Sequence, residues 1–153
     1  MLQTVSKTFF HVLAGSQSLK TLASRYGMSG RGGFARRFIA GETVEEAIEA
    51  ARQIEADGLN VTLDYLGESV ASITEADAAT RAGIGILEKI AAAGIERNVS
   101  LKLTQLGLTI DRATCVDNLR RILDAAAARD FFVRIDMENS PYTAVTLEAF
   151  ETM

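Results

Sequence analysis

The sequence predicts an α/β protein with a parallel sheet, and two observations support that prediction. Three apolar runs have the length and composition of strands, at 59–66, 98–103 and 131–137. Two helical patterns separate them, at about 74–93 and 111–128. Strands that alternate with helices of this length are joined by right-handed crossovers and pair in parallel. The 153 residues suffice for one domain, but a usual eight-stranded α/β barrel has roughly 250.

An N-terminal helical arm precedes the βα units in this prediction. Residues 2–26 place apolar side chains at helical spacing, and GMSGRGG at 27–33 is typical of a flexible connection. We therefore divide the chain into an arm with its glycine-rich connection, 1–40, and a body of βα units, 41–153.

Helix boundaries in the body are marked by capping residues. In the segment GETVEEAIEAARQIEADG, Thr43 and Glu46 form the pattern of a capping box, and Gly58 supplies the stop. The other predicted boundaries are N-caps at Thr74 and Asp111, a stop at Gly94, and a last helix that opens near Tyr142.

Composition and charge argue against several classes of function. A net charge of −4 does not favour nucleic acid, which binds strongly basic faces. No GxGxxG follows the first strand run and no GxxxxGK[ST] is present, so a dinucleotide-binding Rossmann domain and a P-loop are not expected. The single cysteine, Cys115, cannot form an internal disulfide and falls within a helical pattern. We expect it in the core of a cytoplasmic protein.

Charged residues end the strand runs. Lys102 closes one run and Asp136 the next, while Asp64 lies late in the first run and Glu68 in the loop beyond it. The carboxyl ends of parallel strands meet at one rim, where sites of α/β proteins are built. Because apolar residues alternate with these charges, the charges share one side of the sheet. A cation and a carboxylate there can grip a small zwitterion.

Two other interpretations of these charges stay open on the residues alone. Lys102 and Asp136 can form a purely structural ion pair, since an ionised group on a packed face is costly unless it is paired. A metal site made of carboxylates is the other interpretation, because such oxygens suit hard cations. No histidine or cysteine accompanies them, so we expect no metal site. Its candidate ligands are Asp64, Glu68, Asp136 and Glu138.

Four segments together resemble the proline dehydrogenase family. FIAGETVEEAIEAA, VTLDYLGESV, VSLKLTQLGL and VRIDMENSPYTAVTLEAF follow one another in the order of that family's motifs. The resemblance covers about residues 36–150, and KLTQLG followed by DME is its most specific combination. Asn139 stands where aspartate is commoner in such sequences, a departure that leaves the central residues of the motif intact.

This resemblance implies a partial, or half, TIM-type βα barrel that uses FAD to oxidise L-proline to Δ1-pyrroline-5-carboxylate in proline catabolism. The flavin would pass its electrons to a quinone, with peripheral contact at the inner membrane. The resemblance implies that Lys102 binds the proline carboxylate. It also implies that Asp136 lies in the catalytic site, beside substrate and flavin. It gives Met137 a contact with the flavin and makes Glu68 an ion-pair gate.

Length separates this chain from the family pattern. Family members continue after DMEN with further βα units, whereas this chain stops at Met153 within a helical pattern. We therefore expect the N-terminal half of such an enzyme, truncated at the C-terminus and inactive by itself. The alternative is a non-catalytic half-barrel, a binding or scaffold module that a partner or a second copy completes.

Overall fold

The computed structural model of the chain describes residues 39–67 and 69–153. The chain divides into two compact units, Met1–Glu46 and Ala47–Met153, and the sheet belongs to the second. The predicted arm lies outside the described residues except for its last two, so the arm and its boundary stay predictions.

Helices and strands alternate along the described part of the chain, as the apolar pattern predicts. In chain order they are α1 (Val44–Ala56), β1 (Leu63–Asp64), α2 (Ile73–Ala93), β2 (Asn98–Leu101), α3 (Arg112–Ala127), β3 (Phe132–Ile135) and α4 (Thr143–Glu151). Two short 3-10 turns, Leu103–Leu106 and Ser140–Tyr142, follow β2 and β3. Within these described ranges no helix has the length and apolar character needed to span a bilayer.

The three strands form one parallel sheet in the order β1-β2-β3, which confirms the predicted topology. Each strand is shorter than its apolar run. The β2 ladder stops at Leu101 because the chain then winds into the turn Leu103–Leu106. In the first run only Leu63 and Asp64 pair with β2, and Leu59 and Leu66 on either side are mostly exposed.

Helices α2 and α3 pack on each other and on the turn Leu103–Leu106, and this contact contains the best buried apolar side chains. The fully buried members include Leu87, Ile90, Leu103, Cys115 and Leu119. The predicted core position of Cys115 is thereby confirmed. Burial, with a smaller contribution from the Glu138 charge, raises the pKa of this thiol to about 12. Cys115 is therefore a neutral core residue at neutral pH.

Two of the predicted helix starts are confirmed in detail. Thr43 Oγ1 accepts a hydrogen bond from the backbone N–H of Glu46 at 3.2 Å. Asp111 accepts from the backbone N–H of Thr114 at 2.8 Å and is the N-cap of α3. Both bonds satisfy N–H groups that have no partner within the helix.

The predicted N-cap at Thr74 is wrong, because α2 begins two residues earlier. Ser72 is the N-cap, and its hydroxyl accepts from the backbone N–H of Glu75 at 3.2 Å. The Glu75 carboxylate in turn accepts from the N–H of Ala71 at 2.8 Å. Ser72 and Glu75 have the spacing of a capping box, so this pair outcompetes Thr74.

Two glycines in and after α2 give opposite expectations for stability. Gly94 caps the helix with φ 70°, and Gly94→Ala should lower the free energy of unfolding by about 1–2 kcal/mol because L side chains are strained there. Gly85 lies inside the helix with open space where a Cβ would be. Gly85→Ala should raise that free energy by roughly 0.5–1 kcal/mol. Urea unfolding followed by circular dichroism measures both, and equal signs would contradict this account.

Candidate functional site

The Lys102 ammonium lies between two carboxylates at the carboxyl ends of the strands. Its Nζ is 2.7 Å from Asp64 Oδ2 and 3.3 Å from Asp136 Oδ2. These three charged residues come from the carboxyl end of β1 and from the positions at or just after the ends of β2 and β3, and we call them the Lys102 cluster. The structure confirms that Lys102 and Asp136 share one edge of the sheet.

Strand register brings these side chains together. Asp64 pairs with Ser100, and Ser100 pairs with Arg134, so these three side chains project from one face of the sheet. Lys102 and Asp136 lie two residues further on and continue that face. The N–H of Asp136 donates to the carbonyl of Leu101 at 2.9 Å, which extends the β2–β3 ladder to this residue.

Arg134 is a further member of the Lys102 cluster. Its Nε donates to Asp136 Oδ1 at 2.9 Å, while Lys102 binds the other oxygen, Oδ2. Asp136 is therefore held by two cations, one on each oxygen. Sequence reasoning gave Arg134 no role, although its position two residues before Asp136 on a strand predicts a shared face.

Lys102 and Asp136 keep their charges at neutral pH. A hydrogen bond to Asp64 raises the pKa of Lys102 against the opposing effect of partial burial, and Asp136 adds to the rise. Partial burial acts to raise the pKa of Asp136, but the bonds from Arg134 and Lys102 outweigh it and hold that pKa below its usual value. Both partners thus stabilise each other in their ionised forms.

The charged side chains of the Lys102 cluster are paired with one another and also partly exposed to solvent. The side chains of Lys102, Asp64 and Asp136 are 19%, 31% and 24% exposed, so each charge is paired but none is sealed from solvent. The ion pair between Lys102 and Asp136 is compatible with a purely structural role. Its partial exposure is also compatible with a bound ligand. The Lys102 side chain is therefore partly accessible from solvent in its paired state.

Exposed apolar side chains flank the charged rim. Met137, which follows Asp136, is 52% exposed, and Tyr65 and Leu66, which follow Asp64, are 47% and 63% exposed. Large apolar groups in such positions are available to a ligand that carries a ring system.

Glu68, the predicted gate, lies outside the described residues, so that role stays a prediction. Among residues 39–67 and 69–153 there is no group of three or more side chains arranged to hold a metal ion. Two of the candidate ligands, Asp64 and Asp136, bind Lys102 instead. A third, Glu138, accepts hydrogen bonds from Thr104, another residue that sequence reasoning missed.

A parallel βα arrangement with charged residues at the carboxyl ends of the strands is typical of α/β proteins, both barrels and open sheets, which build their sites at that rim. The model of the family named Proline dehydrogenase matches residues 47–153. The chain belongs to the proline dehydrogenase family, as its motifs predict.

Three relatives show the extent of the similarity. Proline dehydrogenase 1 of Bacillus subtilis (strain 168) is 36% identical over 141 residues, which are 92% of this chain and 46% of that protein. Proline dehydrogenase 2 of the same strain is 34% identical over 96% of this chain and 48% of its own length. Proline dehydrogenase of Deinococcus radiodurans is 38% identical over 78% of this chain and 39% of its own. The chain thus spans less than half the length of these relatives.

A solved structure agrees with the fold. Proline utilization A from Bdellovibrio bacteriovorus, inactivated by N-propargylglycine, superposes with a TM-score of 0.71 and 25% sequence identity. The match covers 78% of this chain and 15% of the other. The described residues therefore confirm the predicted fold class, a partial TIM-type βα barrel with parallel strands.

Proposed function

We propose that the chain supplies the first βα units of an FAD-dependent proline dehydrogenase, which oxidises L-proline to Δ1-pyrroline-5-carboxylate in proline catabolism. The observation that carries this proposal is the Lys102 ammonium, held in place by Asp64 and Asp136 and still accessible at the carboxyl rim. Membership of the proline dehydrogenase family supports the choice of substrate.

Lys102 is suited to bind the carboxylate of proline. An ammonium group has three N–H donors, and among the described residues it uses two of them, on Asp64 and Asp136. Within the described part of the chain, one donor is thus left for a third carboxylate. Because the two aspartates fix the position of Nζ, a bound substrate is oriented without the entropy cost of ordering a free lysine.

Asp136 is the residue that we assign to the catalytic site. It holds Lys102 and Arg134 at once and therefore sets where positive charge faces the substrate. The amine of proline must be neutral before the adjacent carbon can give up hydride. A rim whose charges are paired does not force a proton onto that amine, whereas an unpaired carboxylate would favour its protonated form.

The exposed side chains fit a flavin. Met137 lies next to the charged cluster with half of its surface exposed, and a thioether packs well against an aromatic ring. We propose that Met137 contacts FAD, which supplies a hydride acceptor when bound. The finer assignments are a quinone as electron acceptor, peripheral contact of a cytoplasmic protein with the inner membrane, and Glu68 as gate. They rest on the family resemblance.

The 153-residue chain by itself should not oxidise proline. Its β3 is the edge strand of the described sheet and has an unpaired outer edge, so the end of β3 that carries Asp136 has no further described strand beside it to exclude water. We expect the purified chain to retain little or no FAD and to show no proline-dependent dye reduction above an FAD-only control.

The complementary arm of this test supplies the part of a longer relative that this chain does not cover. The C-terminal half of Bacillus subtilis proline dehydrogenase 1, added as a separate polypeptide, should bind the chain and restore flavin absorbance and dye reduction. A binding or scaffold module would bind such a partner without gaining flavin or activity, and this outcome would favour the alternative function. Activity of the chain alone would contradict the proposal that more of the barrel is needed.

A further inference from the structure

A chain of hydrogen bonds joins the segments that follow the three strands. Glu138, beyond β3, accepts from the backbone N–H of Thr104 at 3.1 Å and from the Thr104 hydroxyl with its other oxygen. The same Thr104 hydroxyl accepts from the backbone N–H of Ser69 at 3.3 Å. One carboxylate thereby holds the turn after β2, and through that turn the loop after β1.

The middle of this chain is buried. Thr104 is 1% exposed, so its hydroxyl has no access to water and depends on Glu138 as acceptor and Ser69 as donor. Breaking either bond would leave a buried polar group unsatisfied, which costs more than an ordinary surface hydrogen bond gains.

Two residues between β1 and α2, Gly67 and Ser69, have backbone positions that depend on hydrogen bonds or close packing to hold them. Ser69 has φ 49°, a left-handed conformation that is uncommon for a residue other than glycine. Gly67 lies directly against the side-chain amide of Gln105, where any side chain would overlap that amide. Gly67 and Ser69 therefore lie on Gln105 and Thr104, the two central residues of the turn Leu103–Leu106.

The same turn continues from Lys102. The backbone N–H of Gln105 donates to the carbonyl of Lys102 at 3.2 Å, and Lys102 is the N-cap of the turn. A displacement of Thr104 is therefore transmitted in one direction to the Ser69 loop and in the other to the backbone that carries the ammonium.

We propose that Glu138 is a positioning residue that acts through Thr104 to fix the β1–α2 loop and the backbone of Lys102. The effect of Glu138 on catalysis rests on the proposed function, whereas its role in fixing the backbone does not. Two acceptor oxygens on one group are required, because an N–H and an O–H of Thr104 face them together. A glutamine keeps the size of the side chain but only one acceptor oxygen.

Hydrogen exchange of the full chain, read at single residues by NMR, tests this role without flavin or substrate. In Glu138→Gln the amides of Ser69 and Thr104 should exchange at least tenfold faster than in the native protein. Thr104→Val should accelerate only Ser69, since Glu138 still accepts from the Thr104 N–H. Thr104→Ser, which restores the hydroxyl, should return Ser69 to native exchange.

Glu148→Gln is the matched control. Glu148 lies on the surface of α4, with its side chain 67% exposed and 3.4 Å from Arg112, and its loss should leave both amides unchanged. Native exchange at Ser69 and Thr104 in Glu138→Gln would overturn the proposal. If Glu138→Gln fails to fold, Glu138→Asp takes its place: it keeps both acceptor oxygens but shortens their reach, and native exchange at Ser69 and Thr104 in that variant would overturn the proposal.

Kinetic measurements on the flavin-loaded enzyme distinguish failure of this proposal from failure of the proposed function. There, Glu138→Gln should raise the KM for proline severalfold, and Thr104→Ser should stay close to the native KM. If proline is not a substrate, the exchange results still stand, and the proposed function fails alone. If proline is oxidised but exchange at Ser69 and Thr104 is unaffected by Glu138→Gln, only the positioning role fails.

Discussion

Lys102→Ala should raise the KM for proline tenfold or more in the complete, flavin-loaded enzyme, while the FAD content stays near the native value. A hydrogen bond to a charged group contributes about 1.5–3 kcal/mol, and about 1.4 kcal/mol corresponds to a tenfold change in binding. Under the proposed function, the substitution removes the donor that binds the proline carboxylate. Steady-state kinetics with a dye acceptor, together with flavin absorbance per protein, measure both quantities.

Two further variants identify what the Lys102 result means. Lys102→Arg keeps the charge but replaces a point ammonium with a planar fork, so its KM should fall between the native value and that of Lys102→Ala. Arg120→Ala removes a cation whose partner is Asp117 on the surface of α3, and it should leave KM unchanged. Loss of FAD with an unchanged KM in Lys102→Ala would show that Lys102 is structural.

Asp136→Ala should lower turnover and weaken proline binding together, each by about tenfold or more, because it frees two cations at once. Without this carboxylate, Lys102 keeps Asp64 as its one partner among the described side chains, and Arg134 loses the acceptor of its Nε. Both positive groups can then move relative to substrate and flavin. Measurement of kcat and KM in the flavin-loaded protein shows whether both change.

Asp64→Ala is the comparison that the geometry offers for Asp136. Asp64 also binds Lys102, at the shorter distance of 2.7 Å, but among the described contacts it does not bind Arg134. We expect it to raise KM with a smaller effect on kcat. If Asp136→Ala lowers only the melting temperature and leaves kcat and KM at native values, Asp136 is part of a structural ion pair alone.

Apolar periodicity was sufficient to predict the element order and the parallel pairing, because helix and strand periods differ clearly in this chain. It did not predict strand lengths. The run 98–103 alternates polar and apolar residues up to Leu103, yet Leu103 leaves the sheet for a 3-10 turn that packs against α2 and α3. Burial alone does not distinguish a strand from a turn when both are covered by helices.

The sequence predicted those features of the candidate site that depend only on where the strands end. The proximity of Lys102 and Asp136 follows from parallel pairing and the alternation of side chains. Which oxygens each cation binds depends on register, and register placed Arg134 across from Ser100 and within reach of Asp136. The bond between Thr104 and Glu138 depends on the local turn after β2, for which the sequence pattern carries no separate signal.

The paired charges of the Lys102 cluster limit what a pH–rate profile can report. The pKa of Lys102 is raised, so its contribution to stability is full below the ordinary lysine value and is lost only as pH rises through the higher folded value. The pKa of Asp136 is lowered, so its contribution is full above the ordinary aspartate value and is lost only as pH falls through the lower folded one. Between about pH 5 and pH 9 neither group changes charge. A change of rate with pH inside that window therefore reports the titration of another group. The first candidate is the amine of the substrate, because it must lose its proton before hydride can leave.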